Sequence, residues 1–181
     1  MVAGGGGGFA PGEDMTLAVK LTRLFNLEIN DNTAFPYDTA IVLDTSYATW
    51  AGTGNPVVIV RTGWYFVWVN STTLGTGYSS APDNSDWLHA VGRNGITLDD
   101  TIYGERNSSG NGASAQFISG GSPAYLEAGD ELEVYYVNFV TGETSILVES
   151  NPSVGPNYLT CAGPGTLSPH LMLIAMGGLA P

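Results

Sequence analysis

The stretch Gly63-Trp64-Tyr65-Phe66-Val67-Trp68-Val69 constrains this chain more than any other. Successive side chains of a β-strand point to opposite faces of the sheet, so a half-buried strand alternates apolar and polar residues. Here both sets are apolar: Trp64, Phe66 and Trp68 line one face, and Tyr65, Val67 and Val69 line the other. Such a strand lies between two buried layers, and a small antiparallel sandwich supplies only one of them. The second layer is expected from another subunit or an appended segment. That points to a building block and away from an enzyme.

The rest of the composition agrees with a strand-rich fold. Within 181 residues there are 25 Gly and 10 Pro, with Val, Thr and Tyr frequent, which implies many turns between short strands. A hydrophobic content of 43% supports a core, and the length allows one ordinary domain with an arm. Charged residues make up only 12%, so the surface is covered by small polar residues or is hidden in contacts.

Net charge is −12, and the basic residues are Lys20, Arg23, Arg61, Arg93 and Arg106. Direct binding to nucleic acid requires clustered Lys and Arg, so it is not expected. Docking on an anionic membrane is not expected either. An acidic exterior suits high local concentration or docking on a basic protein surface.

Cys161 is the single cysteine, which rules out a disulfide within the chain. Met1-Val2-Ala3 followed by five glycines has neither the basic nor the apolar region of a signal peptide. No apolar run approaches the roughly 20 residues of a membrane span. The expectation is a protein made in a cytoplasm, even where it later sits outside a cell as part of a particle. Residues 1–14 read as a flexible arm that docks on a neighbour through Gly4, Gly5, Gly6, Gly7 and Gly8, with Phe9 as its anchor. Residues 15–181 read as one domain.

Along that domain, Leu17, Val19 and Leu21 alternate with Thr16, Lys20 and Thr22, which predicts a strand. Residues 25–37 read as loop and 39–43 as a short strand. Val57 to Val60 is expected to run on through Arg61 and Thr62 into the opening stretch. Residues 71–86 and 104–112 read as polar loops. Asn94-Gly95 is a hairpin turn between Trp87–Val91 and Ile96–Leu98. Tyr125 to Asp130 forms a tight turn into Glu131–Phe139, Ser145–Val148 follows, and the last strand spans Pro169–Met176. The total is eight to ten strands without a lasting helical period. It predicts an all-β, antiparallel jelly-roll sandwich with a Gly-rich N-terminal arm.

Three pieces of sequence resemble the tumour-necrosis-factor and complement globular-head jelly roll, a family with bacteriophage structural members. They are Val60-Arg61-Thr62-Gly63-Trp64-Tyr65-Phe66-Val67, the turn and strand Tyr125-Leu126-Glu127-Ala128-Gly129-Asp130-Glu131-Leu132-Glu133-Val134, and the closing His170-Leu171-Met172-Leu173-Ile174-Ala175-Met176. Their order and spacing agree over roughly residues 35–177, although Val67 stands where the family prefers Phe. The resemblance implies a compact homotrimer. It places Tyr65, Val67, Leu132 and Val134 in the sandwich core. It turns Trp64, Phe66, Trp68, Met172 and Ile174 toward neighbouring subunits.

Little in the chain suggests chemistry. His89 and His170 both lie inside strand patterns and read as packing or interface residues. Cys161 has no evident partner, and there is no zinc spacing, phosphate loop or dinucleotide motif. The loop acids Asp83, Asp86, Asp99 and Asp100, with Asn84, offer oxygens of the kind calcium uses, but solvated acids are the favoured reading. No catalytic residue, metal or cofactor is assigned. The expectation is a non-enzymatic bacteriophage virion protein, a homotrimeric capsid decoration or minor capsid protein that docks on the major capsid protein or another virion protein. The alternative is a tail-fibre or receptor-binding tip that holds host glycans.

Overall fold

The computed structural model describes residues 15–23, 27–30, 33–74, 84–97, 105–109, 115–138, 145–149 and 170–177. These residues are all-β, and every strand pairing is antiparallel. The first strands are β1 (Thr16–Thr22), β2 (Leu27–Asn30), β3 (Thr33–Ala34), β4 (Thr39–Leu43) and β5 (Ala48–Trp50). Next come β6 (Val57–Ile59), β7 (Gly63–Leu74), β8 (Asn84–Arg93), β9 (Ile96–Thr97) and β10 (Glu105–Ser109). The chain ends through β11 (Ala115–Leu126), β12 (Glu131–Asn138), β13 (Ser145–Glu149) and β14 (His170–Ala175).

Two sheets result. The first runs β2-β13-β7-β14-β1-β4, with β11 on the other edge of β7. β7 is long enough to pair end to end with two strands along one edge, β14 from Tyr65 to Asn70 and β13 from Thr72 to Leu74. The second sheet runs β10-β8-β12-β6-β5, with β3 added to β12 and β9 to β8. The first sheet buries Val19, Leu21, Tyr65, Val67, Val69, Leu171 and Leu173 against the second sheet's Val57, Ile59, Val91, Leu132, Val134 and Tyr136. Phe35 fills the space beside them, edge-on to Tyr37 at 4.9 Å and tilted against Tyr136 at 5.4 Å. Each such side chain contributes roughly 1.5–3 kcal/mol when fully buried.

The described residues hold 14 strand segments, more than the eight to ten expected. The surplus comes from one polar piece and from pairings too short to show a period. β10 is Glu-Arg-Asn-Ser-Ser and reads as a polar loop, yet its backbone pairs with β8 from Glu105↔Leu88 to Ser109↔Asn84. Ladder hydrogen bonds use backbone groups that every non-proline residue carries, so polarity does not forbid them. β2, β3 and β5 are pairings of only four, two and three residues within stretches read as loop; β2 alternates Leu27 and Ile29 with Glu28 and Asn30, but over too short a run to stand out. β7 and β8 also reach further into residues 71–86 than expected.

The expected continuous strand from Val57 through Gly63 is broken. β6 belongs to the second sheet and β7 to the first, so the chain turns a corner at Val60–Thr62. Tyr47 holds that corner: its carbonyl accepts the N–H of Val60 at 2.8 Å and of Arg61 at 3.2 Å. The Arg61 guanidinium lies over the Tyr47 ring, 5.4 Å from its centroid. The buried Tyr65 hydroxyl donates back to the Arg61 carbonyl.

Two turns meet at Asp130. Asn94 and Gly95 have φ of 54° and 74°, the left-handed pair that a two-residue hairpin demands, and Gly129 has φ of 97°. The Asp130 carboxylate is buried and accepts from Arg93 Nε at 2.9 Å, the Glu127 N–H at 2.7 Å and Asn94 Nδ2 at 3.0 Å. Asn94 Oδ1 in turn accepts the Glu131 N–H at 2.9 Å. One carboxylate thus ties the β8–β9 hairpin to the turn that starts β12. Asp130→Ala leaves Arg93 and two N–H donors without their acceptor and should cost about 3 kcal/mol. Chemical denaturation of the variant checks this, and a loss below about 1 kcal/mol would show the node to be dispensable.

Burial also sets an alkaline limit. Burial raises the Tyr37 phenol well above its ordinary range, with Tyr136 adding to the effect, and raises Tyr65 to about 12 against a weaker opposing pull from Arg61. A raised folded-state pKa on a neutral acid means stability that is full below the unfolded value near 10. That stability is lost as pH rises through 12. Stability should hold to about pH 10 and fall above it. Phenolate absorbance of the buried tyrosines should appear only with unfolding. Early ionisation in the folded state would contradict this.

Candidate self-association face

Residues directly opposite one another in an antiparallel pair share a face, so the registers of the first sheet map its outer surface. Tyr65↔Ala175, Val67↔Leu173 and Val69↔Leu171 point inward, and all six are buried. The alternate rows therefore point outward. They are Phe66↔Ile174, Trp68↔Met172 and Asn70↔His170, with Trp64 beyond them.

β1 and β11 widen this surface. Met172 lies opposite Lys20, which lies opposite Val42, and Ile174 lies opposite Leu17. On the far side, Gly121, Pro123 and Tyr125 lie opposite Trp68, Phe66 and Trp64. Leu17 departs from the simple alternation read in the sequence, which groups it with Val19 and Leu21. The register of β1 against β14 shifts between Leu17 and Val19, so Ala18 and Val19 are both buried and Leu17 is turned outward, 38% exposed. An extra residue in one strand switches the side chains beyond it to the other face.

The five residues assigned to neighbours by sequence, Trp64, Phe66, Trp68, Met172 and Ile174, thus lie together on one outer face of the protomer. Trp68 is 38% exposed and the other four are partly covered. Trp64 packs edge-on against Tyr125 at 5.6 Å. The Phe66 ring lies across Gly121: a Cβ there would sit 2.7 Å from Phe66 Cε1 and 3.1 Å from the Val67 carbonyl oxygen. Glycine at 121 therefore lets the ring lie flat on the sheet. Sequence reading missed Leu17, Gly121, Tyr125 and Lys20. The signal for Tyr125 was its place at the start of the Gly129-Asp130 turn; for Gly121 there was none, because its partner Phe66 is remote in the chain.

At one end the apolar face gives way to a polar row. Thr22, His170 and Asn70 are consecutive register partners across β1, β14 and β7. Thr22 and His170 are buried, and Thr22 Oγ1 and Asn70 Oδ1 find no hydrogen-bond partner among the described residues. His170 is therefore packed within the protomer beside the face. His89 lies in β8 opposite Tyr136, and Asp86 in the same strand opposite Asn107. Cys161, Asp83, Asp99, Asp100 and the arm residues Gly4–Gly8 and Phe9 lie outside the described residues. Among the described residues no three His, Cys, Asp or Glu side chains come together as a metal site.

No protein-family model matches the chain, and no curated protein matches its sequence. Solved structures do. Eiger TNF from S. frugiperda superposes with a TM-score of 0.60 at 13% identity, covering 93% of this chain and 97% of that one. Murine APRIL gives 0.55 at 11% identity, covering 87% and 97%, and the globular domain of zebrafish complement 1qA gives 0.51 at 9%, covering 89% and 97%. The fold is the TNF and complement globular-head jelly roll. At these identities the likeness defines the TNF-like architecture, and function must be argued from this chain's own surface.

Proposed function

We propose that the chain is a non-enzymatic structural protein that works as a homotrimer, with the outer face of the first sheet as the seam between copies. The observation that carries this is the contiguous set Leu17, Trp64, Phe66, Trp68, Met172 and Ile174 on adjacent strands. Aromatic and Met side chains gathered on one face are what subunit interfaces enrich, and a stable one removes about 800 Å² per partner from water. Scattered exposed apolar residues need no explanation, but a continuous apolar sheet face does. The TNF-like jelly roll supports a self-associating module, and the resemblance seen in the sequence implies three copies.

The proposal extends to a place in a bacteriophage virion, as a capsid decoration or minor capsid protein. Support comes from composition. With 12% charged residues and a net charge of −12, the surface suits close packing beside a basic partner, such as a major capsid protein. Residues 1–14 would dock each trimer, and the trimer would bridge shell subunits. The work is mechanical: added contacts hold the shell against internal pressure.

Trp68→Asp places a charge in the middle of the seam while leaving the inward residues unchanged. Light scattering should give a folded monomer, and an unchanged trimer would remove this face from the assembly. The place in the particle is tested by deleting residues 1–14. The shortened trimer should fail to sediment with capsid shells that bind the full chain, and full binding would contradict the docking role.

A further inference from the structure

Lys20 is the only lysine of the chain, and it sits in the apolar seam. It shares a row with Val42, Met172 and Trp68, is half-buried, and has Phe66 and Ile174 one row along. The other basic side chains that can be followed are engaged within the protomer. Arg23 donates to the Pro36 carbonyl at 2.7 Å and lies 3.9 Å from Asp38. Arg61 covers Tyr47, and Arg93 holds Asp130. The Lys20 ammonium, by contrast, makes no ion pair or hydrogen bond with any described residue.

A cation in such a position has a definite effect on association. Covering the seam with a second copy strips water from the ammonium, and a buried charge without a partner opposes assembly. A second copy offers more carboxylates than cations, since each chain has 17 Asp and Glu against five Lys and Arg. Apolar contacts alone tolerate sliding of one sheet over another, whereas a single ammonium admits only registers that bring it an acceptor.

We propose that Lys20 pairs across the seam with a carboxylate of a second copy and so sets the register in which copies dock. The inference rests on the self-association reading and names the polar contact within it. The pair also draws two acidic chains together where like charge would otherwise keep them apart.

A zero-length carbodiimide joins an amine to a carboxylate only where the two already touch. With one lysine per chain, each lysine cross-link reports on Lys20. A mixture of ordinary and nitrogen-15-labelled chains, assembled and then treated, should yield peptides joining Lys20 of one chain to Asp or Glu of another. Lys20→Met should raise the dissociation constant of the assembly at least about tenfold while circular dichroism stays unchanged. An assembled protein with no interchain Lys20 cross-link, or a Lys20→Met variant that assembles as tightly as the parent, overturns the pairing and leaves the seam standing. A parent chain that stays monomeric before treatment overturns the seam, and the pairing with it.

Discussion

β7 is apolar from Trp64 to Val69, and its pleat sends those residues alternately to both faces of the first sheet. The second sheet covers one set. Tyr65, Val67 and Val69 are buried to 1% or less, flanked by Leu171 and Leu173 from β14. The other set, Trp64, Phe66 and Trp68, is carried outward by the same geometry. The strand cannot turn its greasy outer residues inward without turning its core residues out. Every neighbour then inherits the constraint: Met172 and Ile174 follow from the β14 register, and Lys20 and Leu17 from β1.

That register must be held firmly, and much of the firmness sits at the far side of the sandwich. The Asp130 carboxylate gathers Arg93, Asn94 and the Glu127 N–H, while its own carbonyl accepts the Ile59 N–H at 2.8 Å. β8, β12 and β6 are thereby aligned at one end. The Val60–Thr62 corner then delivers the chain into β7 with its phase set, since the Tyr65 hydroxyl closes back on Arg61. The Ala128 N–H also donates to Thr62 Oγ1 at 3.0 Å, tying the β11–β12 turn to that corner. Polar contacts at turns thus decide which face of a distant strand meets water.

The features legible in the sequence are those whose chemistry is local. Asn94-Gly95 declares a hairpin because few residue pairs accept positive φ twice, and Gly129-Asp130 declares a turn for a similar reason. The two-faced pattern of β7 and β14 declares an outer apolar layer. β10 was hidden because its pairing uses backbone alone. Leu17 was misplaced because a register shift leaves no mark in a run of alternating residues. The partner of Arg93 and the role of Gly121 depend on contacts between residues far apart in the chain, which spacing cannot express. Lys20 reads in sequence as the polar half of an ordinary strand; only its row mates Met172, Trp68 and Val42 show how apolar its surroundings are.

The central claim is that another copy of the chain covers the outer face of the first sheet. Hydroxyl-radical footprinting of the intact chain at assembling concentration measures that cover residue by residue, with Met15, 64% exposed, as an internal reference for open side chains. Trp68 and Met172 should be modified far more slowly than Met15, and dilution to the monomer should speed both. Modification of Trp68 at the same rate before and after dilution would contradict the claim.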